Sequence, residues 1–327
     1  MNGNMTDITA DAMAIQEKDA FREQGWLKLI APAKVNLHLG IGARRADGYH
    51  DAVTVMHAIN LHDTVYARRL PPDVGPGNAP VIRMVACGDV SVPDIPSESN
   101  IASKAIRALA DEVGTSDIGI EVRIEKNVPA EGGLGGGSSD AAATLLAAAS
   151  LWGVAADDPA VERAAQKLGS DVAFFLHGGC SLYEGTGEVF VRSLTPSKKA
   201  VALVKPNAGV STAEAYRAFD ADPIAIPPDI AENAQQAGTA DQVVLFNNLA
   251  PASEGLLPEL AHIRAWLREQ QGVQDALLCG SGATTFAVCD SFSAACSVVA
   301  AARKLGHWAR TTSFGSIRAS LVSQGDA

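Results

Sequence analysis

Pro129-Ala130-Glu131-Gly132-Gly133-Leu134-Gly135-Gly136-Gly137-Ser138-Ser139-Asp140-Ala141-Ala142 is the densest glycine cluster in the chain. Five glycines run directly into an alanine-rich segment that ends at Trp152 and Gly153. Glycine lets a backbone approach a phosphate chain and turn its N–H groups toward the oxygens. A helix that follows adds free N–H groups and a positive dipole end. Ser138 and Ser139 stand at the junction, where they can cap the helix or bond phosphate or Mg2+. A Walker loop requires Lys where Ser138 stands. A dinucleotide fingerprint requires a third Gly at Ser138. A nucleophile elbow requires Gly where Asp140 stands. The stretch therefore reads as a phosphate cradle outside those three classes, and a mixed α+β fold is built around it.

Outward from the cradle, Trp26 to Ala67 reads as strands around the polar loop Gly42 to His50. Val81 to Ala86 and Ile118 to Ile124 read as strands, and Asn100 to Val113 as a helix capped by Ser99 or Asn100. Asp158-Pro159 opens a helix that stops at Gly169. Cys180 to Glu184 and Glu188 to Arg192 form a predicted hairpin around Gly185-Thr186-Gly187. Ser211-Thr212-Ala213-Glu214 has the capping-box pattern, and Asp222 to Gln242 reads as a long excursion. From Val201 onward, strand, helix, excursion, helix, strand, Gly-Ser-Gly turn, strand, helix and strand approach a ferredoxin-like split βαβ pattern.

The 327 residues suggest about two domains. Hydrophobic residues make up 47% and charged residues 19%, which excludes disorder as the main state. A net charge of −11 disfavours nucleic acid as a partner. Cys87, Cys180, Cys279, Cys289 and Cys296 are odd in number and lack C-x-x-C spacing, so reduced thiols in a cytoplasm are expected. No apolar run reaches the roughly 18 residues of a membrane span. Residues 1–25 read as a polar N-terminal extension without a signal-peptide pattern.

The cradle resembles the nucleotide-binding motif of the superfamily that holds galactokinase, homoserine kinase, mevalonate kinase and phosphomevalonate kinase. Pro32-Ala33-Lys34-Val35-Asn36-Leu37 and Leu278-Cys279-Gly280-Ser281-Gly282-Ala283-Thr284 are similar to its other two motifs. Arg45-Ala46-Asp47-Gly48-Tyr49-His50 and Leu168-Gly169-Ser170-Asp171-Val172-Ala173-Phe174-Phe175 resemble the branch acting on a CDP-linked methylerythritol. The resemblance implies a two-domain small-molecule kinase fold, with an ATP-binding domain at 26–196 and a ferredoxin-like, substrate-side domain at 197–327. It implies ATP-dependent phosphorylation of the 2-hydroxyl of that small-molecule substrate in the non-mevalonate isoprenoid pathway, with Mg2+ expected and its ligands unknown. Another small-molecule kinase of the superfamily, such as homoserine kinase, or a non-catalytic nucleotide-binding regulator is the alternative.

Under the resemblance, Lys34 and Asp171 match the catalytic pair. Pro129, Gly132, Gly133, Leu134, Gly135, Gly136, Gly137, Ser138 and Ser139 hold the nucleotide, with Asn100 and Lys126 as further contacts. Asn36, Tyr49, His50 and Tyr216 line the acceptor site. The bare residues allow plainer roles: Asp171 and Asn100 as helix caps, Lys34 and Lys126 as solvated strand lysines, Tyr49 as a surface aromatic. Glu131 sits awkwardly in a loop that takes anions. A cytoplasmic monomer or homodimer with no membrane partner completes the expectation.

Overall fold

The structure, a computed structural model, describes residues 25–70 and 79–322. The expected extension up to residue 24, and most of the connection after Leu70, lie outside those residues. Two long strands organise the fold: β1 (Leu27–Arg44) and β2 (His50–Arg69) pair antiparallel over nearly their whole length. Register shifts fall at Pro32/Ala33, Asn36/His38 and Ile41/Arg44. Such bulges bend a ribbon, so its two halves serve different cores. β3 (Val81–Ala86) and β4 (Ile120–Lys126) extend the sheet on one side, and β5 (Cys180–Glu184) and β6 (Val189–Leu194) extend it along the later half of the chain.

Four helices cover the first half: α1 (Ile101–Val113), α2 (Gly136–Trp152), α3 (Pro159–Leu168) and α4 (Ser170–His177). α2 is buried nearly all round. Its alanines Ala141, Ala142, Ala143, Ala147, Ala148 and Ala149 let it lie close to α1, α4 and the ribbon. Neither Ser138 nor Ser139 caps it: the capping position belongs to Gly135, at φ +71°. Both serines lie inside the first turn, because the left-handed glycine lets the helix start earlier than a serine cap would.

The second half carries β7 (Ala200–Lys205), α5 (Thr212–Ala221), α6 (Pro228–Gln236), β8 (Phe246–Asn247), α7 (Ala250–Leu256), α8 (Glu259–Arg268), β9 (Val273–Leu278), β10 (Thr285–Cys289), α9 (Phe292–Lys304), β11 (Trp308–Ser313) and β12 (Ser320–Leu321). The sheet order β11-β7-β10-β9, antiparallel throughout, is the ferredoxin-like order. Helices α8 and α9 cover one face. The other face, with Leu203, Phe286 and Trp308, shares a core with Val35, Leu37 and Ile59 of the ribbon. Burying each such side chain contributes ~1.5–3 kcal/mol, so the two sheets are held by a common core. β8 and β12 return to pair with β1.

Two readings are corrected here. The excursion from Asp222 to Gln242 contains α6 and a 3-10 turn at Ala240–Gln242, where Pro228 at the first helical position replaces a polar cap. Ser211 makes no side-chain capping bond. The capping box sits at Thr239 and Gln242 instead, and the Thr212 hydroxyl is bonded to Ser281 Oγ at 2.9 Å.

Two buried imidazoles join these halves. His57 Nδ1–H donates to Ala58 O at 2.8 Å, and its Nε2 accepts Ser197 N–H at 2.9 Å. His38 packs on Phe246 with both ring nitrogens unpartnered. Burial pushes each pKa down to about 4, opposed at His57 by Ala58 O and Asp241. Between pH 6.5 and 4 the unfolded chain therefore binds more protons than the fold. The stability of neutral rings, fully present above pH 6.5, is lost as pH falls toward 4, by up to about 3 kcal/mol per ring. Urea unfolding at pH 7.5 and pH 4.5 should show this loss, reduced in His38→Leu; equal midpoints for wild type and variant at both pH values would contradict it.

Candidate active site

Alternation along β1 places Lys34 and Asn36 on one face. Lys34 is only 5% exposed, so it is no solvated strand lysine. Its Nζ donates to Asn36 Oδ1 at 2.9 Å. Asn36 Nδ2 donates to Thr54 Oγ1 at 2.9 Å, and Thr54 donates to His38 O at 2.8 Å. Lys34 Nζ also stands 3.4 Å from Asp171 Oδ2. Asp171 lies within the first turn of α4, whose cap is Gly169, so it does not serve as a cap. A carboxylate there is favoured by the helix dipole and is left with an oxygen facing the cleft.

The glycine loop is fixed by three neighbours. Lys34 N–H donates to Leu134 O at 3.0 Å, tying β1 to the loop, and the Leu134 side chain is buried. Ala283 N–H donates to Glu131 O at 2.9 Å, and Thr284 N–H to Gly132 O at 3.2 Å. The Gly-Ser-Gly turn is thus a clamp on the cradle, more than a plain hairpin turn. Gly133, at φ +71°, passes so close to the Cys279 carbonyl that a Cβ would collide with it. A Cβ at Gly135 would lie 2.8 Å from the Phe175 ring and 3.2 Å from Lys34 Cγ. Gly136 passes over Val128, Gly137 is exposed beside Ile101, and Pro129 is half-buried next to Gly132. The first-turn N–H groups of α2 have no intrahelical acceptors. Ser138 is half-buried, while Ser139 Oγ is buried without a partner.

Lys126 lies beneath this turn, also buried. Its ammonium donates to Asp140 at 2.6 Å and to Asp63. Burial opposes its charge, but the two carboxylates outweigh that and hold it above the ordinary lysine range. Burial pushes the Asp140 carboxyl up, Lys126 opposes, and Asp63 adds to the rise. Asp63 also accepts the N–H of Val128 at 2.8 Å. Lys126 thus supports the cradle from below, and Asn100 caps α1 through Ala102 N–H at 2.9 Å. Glu131, at φ +52°, is exposed with its carboxylate against Gly209. It lies close enough to Lys205 to oppose the lowering of that lysine's pKa by burial.

A cleft of about 230 Å³ joins these parts. Lys34, Asn36, Gly133, Gly135, Asp171 and Tyr216 all line it. Burial, with the negative Asp171 adding to it, holds the Tyr216 phenol above its usual pKa. Tyr49 is 66% exposed and does not line this cleft; nor does His50, whose ring lies 5.3 Å from that of Tyr216. Sequence reasoning missed Thr54, Thr186, Thr212 and Ser281 in the lining, and the Asp63 support. Thr186, Thr212 and Ser281 lie in turn and cap patterns that point to local roles, and only the tertiary structure brings them with Thr54 to one cleft. Among the described residues no group of three or more His, Cys, Asp or Glu is placed to hold a metal ion, and no helix is long and apolar enough to cross a membrane.

The family model described as GHMP kinases N terminal domain matches residues 100–179, the stretch that contains the cradle and Asp171. A 4-diphosphocytidyl-2-C-methyl-D-erythritol kinase of Desulfitobacterium hafniense is 38% identical over 80% of this chain and 87% of its own length. The chain belongs to the 4-diphosphocytidyl-2-C-methyl-D-erythritol kinase family. A relative of that name from Nocardioides is 39% identical over 85% of this chain and 93% of its own. The crystal structure of a kinase of this family superposes with a TM-score of 0.66 at 29% identity, covering 88% of this chain and all of the other. Homoserine kinase from Cytophaga hutchinsonii has the same fold, with a TM-score of 0.67 at 20% identity over 91% of this chain and 98% of its own. The family membership makes this chain an ATP-dependent kinase with the two-part α+β fold of its relatives.

Gly135→Val tests the cradle. A β-branched residue at positive φ, aimed at Phe175, should cost about 1–3 kcal/mol of stability and weaken ATP binding at least tenfold. Calorimetry on folded variant protein checks it; unchanged ATP affinity would remove the loop from the nucleotide site.

Proposed function

We propose that this cleft transfers the γ-phosphoryl group of ATP to the 2-hydroxyl of 4-diphosphocytidyl-2-C-methyl-D-erythritol. The observation that carries the reading is the Lys34–Asp171 pair, 3.4 Å apart on the wall beside the glycine loop. Phosphoryl transfer asks a protein for alignment and charge stabilisation more than for covalent chemistry. Asp171 accepts the proton of the acceptor hydroxyl as attack begins. Lys34, held in place by Asn36, presents its ammonium to the charge developing between acceptor and phosphate. The N–H groups of Gly133, Gly135, Gly136, Gly137 and Ser138 cradle the phosphates, and Glu131 stays clear of them on Gly209.

The donor set fits Mg2+ brought on the phosphates rather than a resident ion. The unpartnered Ser139 Oγ at the start of α2 is the hydroxyl suited to it. When bound, Mg2+ neutralises phosphate charge. Tyr216 forms the aromatic wall of the acceptor end, with His50 behind it and Tyr49 free to stack on the base. Residues 26–196 supply the nucleotide side, and residues 197–327 complete the acceptor end through α5. Five cysteines without C-x-x-C spacing support a cytoplasmic setting. The reading carries no nucleic-acid or membrane partner and is compatible with a monomer or homodimer.

A coupled ADP-release assay with the CDP-linked substrate tests the activity, with homoserine as the rival acceptor. Asp171→Asn should lower kcat by about 10²–10⁴-fold while ATP affinity stays within twofold. A variant with near-wild-type turnover would rule out Asp171 as the base.

A further inference from the structure

Strand β6 lies at an edge of its sheet. Among the described residues it pairs with β5 alone, and the bridge from Thr195 to Thr239 lies beyond its end. With the residue before it, the strand opens Glu188-Val189-Phe190-Val191-Arg192. Val189, Phe190 and Val191 are 50%, 52% and 40% exposed. Consecutive large apolar residues in the open are unusual on an edge, where a charge within the strand ordinarily deters pairing. β3 and β9, which end their own sheets, follow that rule with Arg83 and Asp275. β6 instead keeps its charges at the two ends of the apolar run, one of each sign. Phe190 is steadied from behind: its ring meets that of the buried Tyr183 edge-on at 5.7 Å. An aromatic already held in place loses little freedom when it is covered. The register of β5 and β6 shifts between Leu182 and Tyr183, so Val191 has no counterpart on β5. That bulge adds local twist, and a twofold axis would repeat the same twist in a second copy.

We propose that this edge is the contact surface for a second copy of the chain, with the two β6 strands running antiparallel about a twofold axis at Phe190. An isologous contact must be complementary to itself, and this run meets that condition. With Phe190 at the axis, Val189 lies opposite Val191 of the partner subunit, and Glu188 lies opposite Arg192 of the partner subunit. Both charges have capacity left for each other. Glu188 takes the N–H and the hydroxyl of Thr186 on Oε2, at 2.6 and 2.8 Å, which leaves Oε1 without a hydrogen bond among the described residues. Arg192 gives one Nη2–H to Gln235 O at 2.8 Å, and a guanidinium has further donors. The twofold axis makes the ion pair twice, once at each end of the apolar run. A parallel, in-register pairing would set Glu188 against its own copy and Arg192 against its own copy. Like charges directly opposite destabilise a strand pair, so the charge pattern selects the antiparallel one.

Sedimentation velocity of the full chain should show a concentration-dependent equilibrium between monomer and dimer. Phe190→Lys should raise the dimer Kd at least about tenfold. Glu188→Lys and Arg192→Glu each set like charges across the axis and should weaken the dimer at least about tenfold as well. Mixed in equal amounts, these two variants should recover a heterodimer, because each then supplies the charge that the other lacks. Circular dichroism checks the fold of each variant. The double variant Glu188→Lys/Arg192→Glu should dimerise within about threefold of wild type, and it decides the matter if either single variant is unfolded. It lacks both local bonds, so recovery there cannot come from a repaired fold. A wild type that stays monomeric into the high micromolar range would overturn the inference. So would a dimer indifferent to both charge variants, or a mixture and a double variant that both stay monomeric. A monomer that dimerises only once residues 1–24 are removed would assign the edge to that segment and overturn it as well.

Discussion

Everything in the site depends on how closely two glycine turns approach each other. The carbonyl of Cys279 lies where a side chain on Gly133 would begin. That closeness allows the Ala283 and Thr284 N–H groups to bond the carbonyls of Glu131 and Gly132. One turn opens α2 and the other joins β9 to β10 of the ferredoxin-like sheet. Their contact therefore sets the position of the glycine loop relative to that sheet. Because both partners are backbone, the geometry is rigid and leaves no room for a side chain.

The charges are arranged around that rigid centre at two depths. Lys34 and Asp171 face the cleft, with Asp171 partly open to it. Lys126, Asp63 and Asp140 are closed beneath the first turn of α2. Breaking a buried pair leaves a naked charge, which is more damaging than losing an exposed one. The lower group therefore suits support, and the upper pair, which a substrate can reach, suits chemistry. The two lysines have similar burial and opposite assignments, decided by what each can reach.

Much of this was legible in the chain. Glycine density before an alanine-rich segment announces a close-packed loop that opens a helix, since few other patterns combine free N–H groups with close approach. Alternation in Val35 to Leu39 and the β-branched, apolar run Val53 to Ile59 announce strands, and the strand and helix order after Val201 announces the ferredoxin-like sheet. Local chemistry misled where tertiary contacts outbid it. Ser211 has the spacing of a capping box, but Thr212 is drawn to Ser281. Ser138 and Ser139 have the composition of a cap, yet Gly135 takes the position because its left-handed backbone starts the helix sooner.

The sequence by itself determined the residue types and their order: a glycine loop, a lysine two residues from an asparagine, an aspartate at the head of an apolar segment. Those properties are local, and period, spacing and backbone freedom express them directly. Only the tertiary structure decided which lysine faces the cleft and which is locked below it, that Glu131 turns away to Gly209, and that Asp220 holds His50 across 170 residues of chain. Such pairings depend on how the β1–β2 ribbon bends and where α5 docks. No short stretch encodes them, because each partner's local pattern is equally satisfied by solvent.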